Sequence, residues 1–373
     1  MYVGAITAII IADLIAFFPQ RRNIKLINIL LLGFMLYVAF NVRQTPDINN
    51  YIVRYNLDYA GHDNGFTFLA HFFRDHGVSF YEFQNCYYFL AISCLAYGLI
   101  RLTKQRSLIY ILYFFFPFLL NLTQMRNFMV LALLILSIGV CYGNDNKVAK
   151  QIWWCVLCGV AATQHIMAIA YIPFVFVWDN KKALRYIIIG SSILTLLLLI
   201  APGNIVNLLT AILNIVADET RANMYGVRST QLGIIVMIAE SIAMMIIAKI
   251  ARDFVVSYNE DLIAKGSYRH IESSHFEFVI NLIYYSSVFW PFYFLNGNFT
   301  RLMQNEFPVM YMGMATLSRY AFSLGQRKER NIERSNKLIL AFLFFIPLYI
   351  YNLTTIWGGL YDEVVVPIMG GIF

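Results

Sequence analysis

Charge is scarce in this chain. Only 13% of its residues are Asp, Glu, Lys or Arg, against 60% hydrophobic and 16% aromatic. Soluble domains run at roughly 25% charged. No soluble shape hides so much apolar surface, which excludes a cytosolic enzyme, a disordered protein and a nucleic-acid binder. Cysteine is scarce too: the five Cys lie in or beside apolar runs, which excludes a secreted disulfide scaffold. Cys155 and Cys158 have zinc-like spacing but no second pair nearby, and they read as small apolar packing residues. The net charge of +7 sits mostly in short loops between apolar runs, where it reports topology rather than a polyanionic partner.

What is abundant is long apolar runs. A crossing needs about 20 such residues, and the pattern predicts an all-α polytopic membrane protein of about 11–12 transmembrane or half-membrane helices. The predicted spans are 3–18, 26–42, 83–100, 107–122, 127–142, 186–201, 231–248, 276–295, 302–322 and 338–356, with a short hairpin at 152–178. The first run is followed, not preceded, by Arg21, Arg22 and Lys25. A secretory signal carries its charges at the other end, so this run reads as an uncleaved helix with its N-terminus outside.

The stretch 152–178 decides the topology. As one helix it would be about 40 Å long, against a hydrocarbon core of about 30 Å. Read as a single crossing it puts most later Lys and Arg outside; read as a hairpin it returns them to the inside. The positive-inside rule selects the hairpin, with two arms of about 13 residues, its apex at Thr163-Gln164-His165 and both arms entering from the cytoplasm. The whole chain, 1–373, then reads as a single membrane domain. Its external loops are about 43–80 and 202–230, its cytoplasmic loops about 249–275 and 323–337, and both termini are external. An amphipathic surface helix is expected at Ile205 to Val216.

The basic residues assigned to the outside are Arg43, Arg54, Arg74, Arg126, Arg221, Arg228 and Arg301, and none is Lys. Arginine presents a planar, always-charged fork that grips phosphate in two places. A face that handles phosphate would favour it, although arginine also tolerates the membrane interface. Asn121-Leu-Thr-Gln-Met-Arg126 must contain a turn, since 107–142 as one helix would be about 54 Å long. Asn121 followed by Gln124 resembles a capping box, which places Arg126 in the first turn of the next helix. A helix N-terminus with a guanidinium is a good anion site; the alternative is a snorkelling interfacial arginine.

His165, at the hairpin apex, is a candidate proton acceptor for a sugar hydroxyl, or a core histidine bonded to a carbonyl. Asp47, Tyr51, Arg54 and Tyr55 bring carboxylate, aromatic and cationic groups to a density that suits sugar binding. Arg301 is followed by Gln304, Asn305 and Glu306 within what should be an apolar span, so these groups are expected to face a cavity. The 25 Tyr and 31 Phe fit interfacial belts plus such a cavity. No Asp-x-Asp metal motif stands on the external face, and no metal or cofactor is expected.

Taken together, these motifs follow a familiar order. Asp47, Tyr51 and Tyr55 sit early in the first external loop. Gln124 and Arg126 follow a Phe-rich span and open the next helix. A single histidine, His165, stands before a small and apolar run ending in Pro173, and Arg301 stands at the mouth of a late span. The chain resembles the EpsG-type family of bacterial exopolysaccharide polymerases, related in role to the Wzy O-antigen polymerases. Where that family often has Gln and Ala after the Gln-x-Arg, this chain has Asn127 and Phe128.

The resemblance implies polymerisation of oligosaccharide repeat units carried on undecaprenyl pyrophosphate, at the outer face of the bacterial cytoplasmic membrane. The acceptor's terminal hydroxyl attacks the anomeric carbon of the donor's first sugar, and lipid pyrophosphate leaves. Arg126 and Arg301 are the expected stabilisers of that leaving group, helped by Arg43, Arg221 and Arg228. His165 is the expected base, with Asp47 as the acceptor-orienting residue or the base in its place. Tyr51, Arg54, Tyr55, Gln124 and Glu306 complete the expected substrate contacts. A chain-length regulator and a flippase are the expected protein partners. Two rivals stay open: another polyprenyl-phosphate-dependent glycosyltransferase using Asp47 as base, and a transporter or flippase of lipid-linked sugars.

Overall fold

The computed structural model describes residues 24–57, 63–142, 146–200, 231–264, 273–321 and 328–370. Among the described residues every regular element is a helix and there is no strand. Six helices are long and apolar enough to cross a membrane by length and composition. The chain is an all-α polytopic membrane protein. Other expected crossings correspond to shorter apolar helices, such as Leu26–Phe40 and Ile166–Phe176, to interrupted ones, or to residues outside the described set. The described residues fall into two compact units, one running to His165 and resuming at Tyr349, the other from Ile166 to Leu348.

The first unit is built from α1 (Ile24–Phe40), α2 (Ile48–Asn56), α3 (Asn64–Asp75), α4 (Phe80–Leu102), α5 (Arg106–Thr123), α6 (Met125–Tyr142) and α7 (Lys147–Gln164). Its centre is the contact of α4 with α6. A β-carbon on Gly98 would stand 2.5 Å from the Ile135 carbonyl oxygen, and one on Gly139 would stand 2.6 Å from that of Gly98. Small residues let the two backbones touch, which is how helices associate where lipid removes the hydrophobic drive. α4 begins with a full capping box: Ser79 N–H donates to Glu82 Oε2 at 2.8 Å and Glu82 N–H to Ser79 Oγ at 3.4 Å. Asn146 caps α7 by accepting from Val148 and Ala149 N–H. Because only a short connection separates α6 from α7 and the two pack together, they run antiparallel. The start of α6 and the end of α7 therefore lie at the same end of the unit.

α5 is interrupted where Phe116 takes extended angles before Pro117. A broken helix in an apolar setting must find donors for its freed carbonyls. The C-terminal segment brings them: Tyr349 hydroxyl donates to Leu112 O at 3.0 Å and Trp357 Nε1 to Phe115 O at 3.2 Å.

The second unit holds α8 (Ile166–Phe176, a 3-10 helix), α9 (Lys181–Ile200), α10 (Gln231–Ala264), α11 (Ser273–Tyr285), α12 (Ser286–Phe294, a 3-10 helix), α13 (Thr300–Gln304), α14 (Phe307–Ala321) and most of α15 (Lys328–Thr354). Side chains tie α8 to its neighbours: Tyr171 hydroxyl donates to Leu302 O and Tyr285 hydroxyl to Ala170 O.

The structure corrects several boundaries. The described part of the expected external loop 43–80 carries two helices, α2 and α3, each with an apolar stripe, Ile48, Tyr51 and Tyr55 on one and Phe66 and Ala70 on the other. Helix α10 continues through 264 into the expected loop 249–275; its 34 residues make a rod of about 51 Å, longer than the bilayer core. α15 is helical from Lys328, within the expected loop 323–337. The expected apex at His165 is where α7 ends and α8 begins. The arms are not 13 residues each, however: α7 has 18 residues and α8 has 11, because Asn146 starts α7 well before the apolar run. The surface helix expected at Ile205 to Val216 lies outside the described residues.

Candidate functional site

Three helix ends meet at one end of the first unit: the start of α6, the end of α7 and the start of α3. The third is placed by Gly65, where an added β-carbon would lie 2.5 Å from Gln164 Nε2 and 2.7 Å from Thr163 Cβ. Arg126 stands in the first turn of α6, as the sequence predicts. The turn before it is built differently, since no Asn121–Gln124 capping box forms. Asn121 stays inside α5 and donates to Tyr113 Oη at 3.0 Å. The chain breaks at Gln124 alone (φ −118°, ψ 63°), whose backbone oxygen accepts from Phe128 N–H at 2.9 Å.

Arg126 donates through Nη1 to Oδ2 of Asp63. Arg54 Nη1 lies 3.9 Å from the same oxygen. The Asp63 side chain is 2% exposed and that of Arg126 16%. The Arg126 guanidinium stands 5.7 Å from the Tyr51 ring centre and 6.0 Å from that of Phe66, a range in which ring faces attract cations. Its Nε is buried and has no acceptor, as is the Gln124 Oε1 with no donor.

From Phe66 the contacts lead to the end of α7. Phe66 meets Tyr87 edge-on at 5.6 Å, and Tyr87 hydroxyl donates to Gln164 Oε1 at 3.0 Å. His165 follows directly, 8% exposed, in extended conformation as the C-cap of α7. Arg126, Arg54, Tyr51, Gln124 and His165 are thus gathered at one end of one unit.

The other sequence candidates are placed as follows. Asp47 stands at the start of α2, half-buried and making no side-chain cap. Tyr55 is packed: its hydroxyl donates to Val78 O at 2.7 Å and its ring stacks on Phe83 at 5.2 Å. Arg43 is exposed and lies 4.7 Å over the Tyr81 ring. Arg301 and Glu306 belong to the second unit, Arg301 half-buried in α13 and Glu306 fully buried with no hydrogen-bond partner on either carboxylate oxygen. Arg221 and Arg228 lie outside the described residues. The sequence reading missed Asp63, Phe66 and Tyr87. One signal for Asp63 was available, an Asp directly ahead of an amphipathic helix; nothing local marked its partner, which lies 63 positions away.

The architecture defines a polytopic helical membrane protein with an arginine–carboxylate cluster, built on a buried Asp63, at the same end of the first unit as a histidine. The family model described as EpsG matches residues 24–361, and the chain belongs to the EpsG family. No significant match was found among curated proteins or among solved structures. Membership is consistent with a polysaccharide-polymerase type of membrane glycosyltransferase.

Proposed function

We propose that the protein polymerises oligosaccharide repeat units linked to undecaprenyl pyrophosphate, by glycosyl transfer on the outer face of the bacterial cytoplasmic membrane. The observation that carries this reading is the pairing of opposite helix ends at Arg126 and His165. As the acceptor hydroxyl attacks, negative charge grows on the departing pyrophosphate and positive charge on the base. Arg126 sits at the start of α6, where the helix dipole and free N–H groups favour an anion. His165 caps the end of α7, where the dipole favours a cation. The antiparallel pair therefore offers each developing charge the helix end that stabilises it.

In this reading Arg126 holds the diphosphate with a guanidinium already fixed in place, so little reorganisation accompanies the reaction. Removing one such preorganised donor typically costs 10²–10³-fold in rate. His165 takes the proton from the attacking hydroxyl. Asp47, at the start of α2, orients the acceptor glycan. The arginines supply the charge neutralisation, so the transfer runs without a metal ion.

A strain lacking this gene tests the reading by glycan gel. The expected result is loss of the polymer ladder with single repeat units retained on the outside. An unchanged ladder overturns it. Single units trapped on the cytoplasmic side instead favour a flippase.

A further inference from the structure

We infer that Asp63 is a positioning residue that holds Arg126 and Arg54 as one anion-gripping pair. The inference rests on the reading above, in which Arg126 meets the donor's diphosphate, and extends it to a residue that reading does not use.

Four observations carry it. First, Asp63 occupies the N-cap position of α3, where an Asp ordinarily accepts from the N–H groups of the first turn. It makes no such cap, and its carboxylate goes to Arg126 instead. Second, the carboxylate is 2% exposed, and a buried charge persists only when it is paired. Third, the two cations come from separate elements, Arg54 from α2 and Arg126 from α6, and both approach Oδ2 of Asp63. Two guanidiniums brought together without a shared anion repel, so a carboxylate between them lets both stay. Fourth, Asp63 engages Nη1 of Arg126 while Nε, also buried, has no acceptor. One edge of the fork is pinned, and a donor on another edge still lacks its acceptor. Phosphate oxygens supply acceptors of that kind, and Arg–phosphate contacts are often bidentate.

The same geometry argues against Asp63 as the base. Its carboxylate is engaged by Arg126 and approached by Arg54, so its action runs through the arginines.

The test uses the full chain returned to the deletion strain. Polymer is read by glycan gel and protein in the membrane by immunoblot. Asp63→Asn keeps the shape and removes the charge; Asp63→Ala removes both; Asp63→Glu restores the charge; Arg126→Ala is the reference. The expected result is at least a tenfold loss of polymer in Asp63→Asn and Asp63→Ala at wild-type protein level, with partial recovery in Asp63→Glu. A full ladder in Asp63→Asn while Arg126→Ala loses it overturns the inference and leaves the proposed function standing. Absence of both Asp63→Asn and Asp63→Ala from the membrane, or no gain in Asp63→Glu over Asp63→Ala, assigns Asp63 to folding and also overturns it. A full ladder in Arg126→Ala overturns the function reading, and the inference with it.

Discussion

Gly65, at the start of α3, is pressed against Gln164 at the end of α7, so that a β-carbon there would stand 2.5 Å from the Gln164 amide nitrogen. This contact brings Asp63 and His165 to the same end of the unit, since each is within two residues of it. Gly65→Ala must displace the Thr163 and Gln164 side chains or shift α3 from α7. Overpacking of this kind costs about 1–3 kcal/mol. The expected outcome is a lowered thermal midpoint of the solubilised protein and a polymer ladder reduced at least several-fold. An unchanged ladder would mean the site tolerates separation of the two helix ends.

Arg126→Lys keeps the charge and loses the fork. Lysine presents a point charge and cannot hold both Asp63 and a phosphate in plane. Polymer formation is expected to fall at least tenfold, close to the level of Arg126→Ala, with the protein still present in the membrane. Wild-type activity in Arg126→Lys would show that charge alone suffices.

His165 and Asp47 compete for the role of base. His165 caps α7 beside Gln164, whereas Asp47 begins α2. His165→Ala is expected to lose more polymer than Asp47→Ala, by about 10²-fold for the loss of a general base. The reverse order would transfer the role to Asp47 and favour the other class of lipid-dependent glycosyltransferase.

Gly98→Ala places a methyl group 2.5 Å from the Ile135 carbonyl oxygen, and neither backbone has slack to move. The α4–α6 contact is expected to weaken by about 1–3 kcal/mol, read as a lowered thermal midpoint. Gly159→Ala, which meets nothing within 4 Å, is the control. It should be neutral or slightly stabilising, because alanine favours helix by about 1 kcal/mol.

If arginines alone carry the leaving group's charge, transfer measured in membranes should survive EDTA. Loss of activity that Mg²⁺ or Mn²⁺ restores would require an ion in place of, or beside, Arg126.

The helical membrane class, the place of Arg126 in the first turn of a helix and the break at His165 were legible in the sequence. They follow from run length, from the limit a bilayer sets on an unbroken helix, and from where charges interrupt apolar runs. Other features were legible only in part. The polar stretch 43–80 looked like a loop because its helices are short and only half apolar. Asn121 looked like a cap because its spacing to Gln124 fits one, yet a buried partner, the Tyr113 hydroxyl, claimed its side chain. Tyr55 belonged to a sugar-binding pattern by composition, and in the fold its hydroxyl is spent on Val78.

By itself the sequence determined that the chain folds as helices in a membrane and which cations stand near helix ends. Those properties are local, set by the hydrophobicity and spacing of neighbouring residues. Only the tertiary structure decided that Asp63 is the carboxylate set between Arg54 and Arg126, and that the start of α6 shares an end with the close of α7. Such pairings join residues far apart in the chain, and their geometry comes from backbones allowed to touch at Gly98 and Gly139 and from the close approach of Gly65 to the Thr163 and Gln164 side chains, which no local pattern encodes.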